Sequence, residues 1–67
     1  MYVIQNIETG KFVSRHGSYH SYTYKIMEAQ VYHSQAAAEK DRCVENERVV
    51  SVEDYMAGNV RPPGGNN

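Results

Sequence analysis

The sequence predicts a small α+β domain in which one helix packs on an antiparallel sheet of three to four strands, in the order β-β-β-α-β. Three observations predict this class. Two β-prone runs flank a glycine-containing turn at the start of the chain, an alanine-rich run has strong helix propensity, and a β-branched run follows it. At 67 residues the chain has the length of one domain. We expect that domain to span residues 1–56 and a disordered tail to span residues 57–67.

The run MYVIQNIETGKFVSR predicts a β-hairpin. Its β-prone halves flank Glu8-Thr9-Gly10, and Gly10 is suited to the positive φ that a short loop with a bulge requires. A three-residue loop and a two-residue loop at Thr9-Gly10 place different side chains on the core face, because a shift of one residue reverses the two faces of a strand. The apolar residues do not alternate cleanly, so both registers stay open.

Residues 16–23 have no periodicity and are rich in glycine and serine, so they are predicted to be a loop. The region after them predicts a helical turn, a third strand and the helix. Thr23 is a suitable cap for one turn over Tyr24–Glu28, and a third strand is expected around Gln30–His33. Ser34 then occupies the N-cap position of the run QAAAEKDRCVEN, which is the best helix former in the chain.

The predicted helix is expected to end at Asn46 and to present one face to the sheet. Small alanine side chains on that face let a helix pack close to a sheet. Cys43 falls on the same face, flanked by Asp41 and Glu45, and is predicted to be a small core residue and not a reactive thiol. The residues at the spacing of the inward face are Ala36, Ala37, Lys40, Cys43 and Val44.

The last part of the chain predicts a strand followed by a tail. The run RVVSV offers a fourth strand, with either Val50 and Val52 or Val49 alone facing the core. The final run AGNVRPPGGNN is rich in proline, glycine and asparagine, a composition that does not build a core.

Composition and charge limit the classes of protein that fit. One cysteine excludes an internal disulfide and indicates a reducing cytoplasm. No run reaches the roughly 18 apolar residues of a membrane span, and the first residues lack the features of a signal peptide. We therefore expect a cytoplasmic protein with no membrane partner.

The net charge is -1, with residues 1–27 net basic and residues 28–56 net acidic. The acidic stretch Glu39–Asp54 is interpreted as a solvated face, and dedicated duplex binders usually show a stronger basic bias.

A family resemblance rests on two stretches, YVIQNIETGKFVS and then SYT followed by MEAQVYHSQAAAEKD. They combine a Tyr-Val-Ile strand, a Thr-Gly-Lys turn and an Ala-x-Val-aromatic-x-Ser segment that leads into an Ala/Glu-rich helix. This pattern, over about residues 2–42, resembles small uncharacterised accessory proteins of bacteriophages and prophages. The resemblance implies a phage-derived protein of the host bacterial cytoplasm, of the kind that binds and inhibits a host enzyme or a defence complex. It implies no catalytic residues.

The residues that carry chemistry do not form a recognisable catalytic or metal motif. His16 and His20 are spaced H-x₃-H, but His33 and Cys43 lie far apart across a strand–helix boundary, unlike the closely spaced ligand pairs of structural zinc sites. The paired carboxylates, such as Glu53-Asp54, have no pocket-forming sequence around them, and a short chain rarely builds a concave site of about 300 Å³ or more. We expect no enzyme activity, no metal and no cofactor.

A basic and aromatic segment over residues 15–25 is the predicted contact surface. Tyrosine and arginine are enriched at interface hot spots, because they offer rigid apolar area with a polar tip. The prediction is a non-enzymatic protein that binds a host or phage protein, and an unpaired edge strand offers a second route, including a homodimer, by strand addition. The residues assigned to the contact are Arg15, His16, Tyr19, His20, Tyr22 and Lys25.

The alternative is a module that binds single-stranded nucleic acid with the same segment. Such modules combine basic side chains with aromatic platforms, and three tyrosines over residues 19–24 lie close to basic residues in sequence. Few cations are present to neutralise phosphates, however, and some tyrosines are needed for the core. Tyr2 and Tyr32 are expected to be mostly buried, and Tyr24 is a further candidate for burial.

Overall fold

Four strands and two α-helices make up the fold of residues 1–62, which the computed structural model describes. The strands are β1 (Tyr2–Asn6), β2 (Phe12–Val13), β3 (Tyr22–Thr23) and β4 (Glu47–Ser51), the helices are α1 (Gln35–Asp41) and α2 (Val52–Met56), and a 3-10 helix covers Ile26–Glu28. The strands form one antiparallel sheet in the order β3-β2-β1-β4. The predicted α+β class and the order β-β-β-α-β are confirmed, and α2 is an addition to them.

The hairpin of β1 and β2 has a loop over residues 7–10, longer than either loop expected. The main-chain N–H of Asn6 donates to the carbonyl of Lys11 (2.7 Å), and the N–H of Gly10 donates to the carbonyl of Asn6 (2.9 Å). Asn6 Oδ1 also accepts two main-chain N–H groups of the loop, at 2.8 and 3.1 Å. Gly10 has a φ of 81°, so the expected positive φ is confirmed. The longer loop follows from Asn6, whose side chain satisfies donors within the turn.

The third strand is Tyr22–Thr23, at the end of the predicted loop, where it pairs with β2. The strand expected around Gln30–His33 is wrong. Isolated bridges form there instead: Tyr32 pairs with Tyr2 at the start of β1, and Ala29, just before the segment, pairs with Ser14 just after β2. Each bridge is a single residue pair, to a different strand and beyond the pairing of β1 with β2, so the segment builds no continuous ladder with either strand.

The turn predicted before that segment is present as the 3-10 helix, without the expected cap. Thr23 lies in β3, and its Oγ1 accepts the main-chain N–H of Lys25 at 3.1 Å. Lys25 takes the position before the 3-10 helix and makes no capping bond with its side chain. The threonine therefore stabilises the exit from β3 and not a helical turn.

Helix α1 begins where predicted and ends earlier. Ser34 Oγ accepts the N–H of Ala37 at 3.1 Å, so the predicted N-cap is confirmed. The helix ends at Asp41 and not at Asn46, because Arg42 adopts an extended conformation. The helix is therefore short. Asp41, in its last turn, lies beside the part of the sheet that α1 leaves uncovered.

The predicted inward face of the helix is wrong. Ala38, which is outside the predicted set, is the residue of α1 that is fully buried. Cys43 is exposed and is not a core residue, since its N–H donates to the Glu47 carboxylate at 2.7 Å where a continued helix would bond it to a main-chain carbonyl. The residues of the predicted face, all exposed, are Ala36, Ala37, Lys40, Cys43 and Val44.

The main cluster of buried apolar residues lies on one face of the sheet, which we call the core face. Val3 and Val50 are paired directly across β1 and β4 and therefore project to the same side. Tyr55 of α2 packs edge-to-face on Phe12, with ring centroids 5.3 Å apart. Of the two alternatives for the fourth strand, the one that turns Val50 and Val52 to the core is correct. The core cluster comprises Val3, Phe12, Ala29 and Val50, with Ile26, Val52 and Val60 packed against it.

The region predicted as a tail is described in part. Helix α2 ends at Met56, Gly58 follows it with a φ of 79°, and Val60 then packs against the core cluster. The carbonyl of Arg61 accepts a hydrogen bond from Arg48 of β4 at 2.6 Å. This packing lies beyond the predicted domain end at residue 56, and residues 63–67 of the predicted tail lie outside the described residues.

The opposite face of the sheet, which we call the helix face, is covered only in part. Helix α1 lies against β1 and β4, and Ile4 is buried there. Val13 and Tyr22 are paired across β2 and β3 and project from the other half of the same face. The partial cover leaves a groove beside α1.

Candidate functional site

The loop over residues 15–21 is exposed and closed at its base. The N–H of Ser14 donates to the carbonyl of Ser21 at 2.9 Å, which joins the two ends of the loop. Within the loop, the N–H of Ser18 donates to the carbonyl of Arg15 at 2.9 Å. Main-chain hydrogen bonds therefore fix the shape of this predicted contact region.

The 3-10 helix and the residue pair after it brace the same loop. Arg15 donates its main-chain N–H to the carbonyl of Glu28 (3.0 Å) and its Nη2 to the carbonyl of Met27 (3.0 Å). The N–H of His16 donates to Oε1 of Gln30 at 2.7 Å. Arg15 therefore has a structural role, and part of its guanidinium is engaged within the chain.

The tip of the loop presents two rings to solvent. The side chain of Tyr19 is 96% exposed, and its ring packs edge-to-face on His20 with centroids 5.0 Å apart. An exposed tyrosine of this kind offers apolar ring area and a polar hydroxyl together. The tip is the part of the predicted surface that is most open to a partner.

Tyr22 does not share this exposure. Its side chain is 36% exposed, and its hydroxyl donates to Oε2 of Glu47 at 2.6 Å across the helix face of the sheet. Tyr19 and Tyr22 therefore do not form one aromatic platform. Lys25 is exposed before the 3-10 helix. The six residues predicted for the contact therefore divide between the loop tip, the loop base, β3 and the segment before the 3-10 helix.

A groove of about 370 Å³ lies beside α1 on the helix face of the sheet. Its apolar part comes from the sheet, at Ile4 and Val13, and Asp41 comes from the last turn of α1. Two of the residues predicted for the contact, His16 and Tyr22, line it. We call it the tyrosine–carboxylate groove, and its lining residues are Ile4, Val13, His16, Ser21, Tyr22, Tyr32, Asp41 and Glu47.

Two hydrogen bonds between a tyrosine and a carboxylate give the groove its name. Tyr22 Oη donates to Glu47 Oε2 at 2.6 Å, and Tyr32 Oη donates to Asp41 Oδ2 at 2.9 Å. Burial, and next the bond to Asp41, raises the pKa of Tyr32 to about 12. The bond to Glu47, and next burial, raises the pKa of Tyr22 above its ordinary value. Both phenols are therefore protonated at neutral pH and act as donors.

Glu47 is a nearly buried carboxylate in this groove, with 8% of its surface exposed. Its Oε1 accepts the N–H of Cys43 (2.7 Å), and its Oε2 accepts the Tyr22 hydroxyl. Arg42 donates Nη1 to the main-chain carbonyl of Glu47 (2.8 Å), while its Nε pairs with the carboxylate of Glu39. Within the described chain, no basic group lies within 4.0 Å of the Glu47 carboxylate. The hydrogen bonds to its two oxygens therefore come from neutral groups.

Sequence reasoning missed Tyr32, Asp41 and Glu47 as members of the site. Glu47 belongs to the stretch interpreted as a solvated face, and its burial contradicts that interpretation at this position. The alternation of β4 carried a signal, because Glu47 and Val49 lie on the same face of one strand. Tyr32 and Asp41 come together only through the fold, and no spacing in the sequence links them.

Metal ligands are not grouped in the part of the chain that the structure describes. Among residues 1–62, no group of three or more His, Cys, Asp or Glu side chains is placed to hold an ion. The histidines and the cysteine that carry ligand chemistry thus remain separate there. Neither α-helix in this range has the length and apolar character needed to cross a membrane.

Comparison of the chain with protein-family models, with curated proteins and with solved structures found no match. The resemblance to phage accessory proteins therefore stays a prediction.

Proposed function

We propose that this chain is a non-enzymatic accessory protein of the phage type, which binds another protein through the loop over residues 15–21 and the adjoining tyrosine–carboxylate groove. The 96% exposure of Tyr19 at the tip of a braced loop carries the proposal. The resemblance of residues 2–42 to phage proteins supports the phage origin, and it favours inhibition of a host enzyme or defence complex as the role.

An exposed tyrosine on a braced loop suits protein binding for energetic reasons. A tyrosine side chain supplies a large contact area and loses little conformational entropy when it binds. The hydrogen bonds at the base of the loop are already made, so less of the binding free energy is lost to ordering the loop. Tyr19 is therefore expected to be a hot spot, whose truncation weakens binding by on the order of 2 kcal/mol.

The chemistry of the groove favours recognition over catalysis. The raised pKa values of Tyr22 and Tyr32 keep both phenols protonated at neutral pH, so neither serves as a base. Each phenol instead holds a carboxylate in place by a charge-assisted hydrogen bond. Fixed rings and fixed carboxylates are the components of a recognition surface.

A pull-down from bacterial lysate tests the proposal, with the wild-type chain, Tyr19→Ala and Met56→Ala as baits. Met56 is exposed on α2, which packs on β4, at the opposite edge of the sheet from β3. Met56→Ala therefore removes exposed apolar area, as Tyr19→Ala does, but at a distance from the loop. We expect wild type and Met56→Ala to retain the same proteins, and Tyr19→Ala to retain at least about tenfold less. Equal retention by Tyr19→Ala, or no retention by wild type, would overturn the proposal.

Binding of single-stranded nucleic acid is the second candidate, and one observation favours it. Tyr24 is 69% exposed and not buried, and Lys11 Nζ lies 5.0 Å from the centroid of its ring, so a stacking ring and a cation share one surface. The carboxylates of Asp41 and Glu47 disfavour a phosphate backbone in the groove itself.

Titration of labelled single-stranded DNA and RNA at two salt concentrations separates the two candidates. Micromolar binding that weakens with salt and with Tyr24→Ala, but not with Tyr19→Ala, would favour nucleic acid. An unchanged fluorescence anisotropy over the titration would exclude this candidate.

A further inference from the structure

We infer that the tyrosine–carboxylate groove receives the guanidinium group of an arginine side chain from the partner protein. The inference rests on the proposed function, because it names the chemistry of the partner at the same surface. Three properties of the groove carry it: the charge of Glu47, the second carboxylate with its aromatic neighbours, and the volume.

The charge of Glu47 is the first step. A carboxylate that is 8% exposed is largely removed from water, and a buried charge is costly unless a charged or hydrogen-bonding partner stabilises it. Glu47 has two neutral donors, from Cys43 and Tyr22, and no basic side chain within 4.0 Å in the described residues. Each carboxylate oxygen can accept a further bond. The Arg42 guanidinium reaches only the main-chain carbonyl of Glu47, so a cation in the groove would be the first to contact the carboxylate itself.

The second carboxylate and the rings select the type of cation. Asp41 adds a negative charge to the same groove, and Tyr22 and Tyr32 line it with aromatic rings. A guanidinium group is planar, donates in a fork that matches carboxylates, and stacks on aromatic rings. An ammonium group is a compact point charge with strong hydration and does not match such walls as well. The lining therefore favours arginine over lysine.

The volume and the remaining lining residues define the occupant. At about 370 Å³ the groove lies at the small end of the roughly 300–1,000 Å³ typical of ligand sites, which suits one side chain. His16 is the basic residue in the lining, and its ring packs edge-to-face on Tyr32 with centroids 6.4 Å apart. The apolar part at Ile4 and Val13 fits the methylene stem of an arginine.

The experiment is an NMR titration of the ¹⁵N-labelled full chain with the blocked peptide acetyl-Gly-Arg-Gly-amide. The matched control peptide carries citrulline, which keeps the shape of arginine and removes its charge. We expect the arginine peptide to shift the amide signals of Ile4, Val13, Cys43 and Glu47, to bind at least about tenfold more tightly than the citrulline peptide, and to weaken as salt rises. Equal binding of the two peptides, or shifts confined to residues outside the groove, would overturn the inference.

Two variants make the test specific to the carboxylates. Glu47→Gln keeps the size of the side chain and removes the charge, and it should weaken arginine-peptide binding by about tenfold. Asp41 is exposed, so Asp41→Asn provides a second variant that leaves the buried residues intact if Glu47→Gln does not fold. Binding at wild-type strength by the folded variants, or a lysine peptide that binds as tightly as the arginine peptide, would contradict the assignment.

The outcomes also distinguish this inference from the proposed function. If Tyr19→Ala loses the captured proteins while the arginine peptide does not bind the groove, the inference is wrong and the protein-binding function stands. If the arginine peptide binds the groove while wild type captures no protein, the site is supported and the proposed function fails.

Discussion

At the scale of single residues, Glu47 organises the helix face of the sheet. Its carboxylate holds the Tyr22 ring across the sheet and ends the helical hydrogen-bond pattern at Cys43, while its carbonyl engages Arg42. One residue therefore joins β3, the turn after α1 and β4. The groove depends on these bonds, because they set the position of both the ring and the charge.

Tyr22→Phe tests that arrangement. The substitution keeps the ring and removes the donor to Glu47 Oε2. The nearly buried carboxylate then keeps only the hydrogen bond that it accepts from the main-chain N–H of Cys43. We expect the free energy of unfolding to fall by about 1–2 kcal/mol, as measured by urea denaturation. Tyr19→Phe is the matched control, since the Tyr19 side chain is 96% exposed, and it should leave the midpoint unchanged. Equal midpoints for the two variants would show that the bond to Glu47 contributes nothing.

Residue-level prediction from the sequence succeeded where the cause is local. Ser34 caps α1 and Gly10 takes a positive φ, because each depends on a few neighbouring residues. Tyr19 is exposed as a loop residue should be. Glu47 and Tyr32 could not be placed in a site from the sequence, because their partners come from other elements and charge alone favours a solvated position for Glu47.

At the scale of elements, tertiary hydrogen bonds decide where the elements stop. The run after Ala29 has the β-prone residues of a strand, but the chain meets β1 only at Tyr32 and the end of β2 only at Ala29, as isolated bridges. The run after Asp41 has the composition of a helix, but the Glu47 carboxylate takes the N–H of Cys43 and the helix ends. The fold class and the start of α1 follow from local propensity, whereas the place of the third strand and the ends of the elements do not.

The start of β1 and helix α2 are joined by an ion pair that predicts a pH dependence. The α-ammonium group of Met1 lies 3.0 Å from both carboxylate oxygens of Glu53. Their hydrogen bond is the main cause that holds the pKa of Glu53 below its usual value of 4.5. A carboxyl group whose pKa is lower in the folded state stabilises the fold above its unfolded pKa, and that contribution is lost as the pH falls through the folded pKa.

Glu53→Gln should therefore lower the urea midpoint slightly at neutral pH and leave it unchanged in acid below the folded pKa. The effect is expected to be small because the pair is exposed, and it should shrink with added salt. Glu8→Gln, at an exposed position in the hairpin loop, is the control and should follow wild type at every pH. A constant difference between Glu53→Gln and wild type from neutral to acid pH would contradict the ion pair as its cause.

At the scale of the whole molecule, few apolar side chains are buried, and they lie on both faces of the sheet. The largest fully buried side chains are Phe12, Ile4 and Val3, and Phe12 is the aromatic ring of the core cluster. A domain of 67 residues has a free energy of unfolding of roughly 3–10 kcal/mol, because a short chain buries a limited fraction of its surface. A single large core residue therefore accounts for much of the stability.

Phe12→Ala is expected to unfold the chain or leave it barely stable. Removing this ring loses its transfer free energy and leaves a cavity under Tyr55, a combined loss of about 3–5 kcal/mol. Phe12→Leu keeps most of the volume and should cost less than half as much. Circular dichroism followed through a urea titration measures both. A cooperative transition for Phe12→Ala with the midpoint of Phe12→Leu would mean that the ring is not the centre of the core, and the position of β2 in the sheet would then have to be revised.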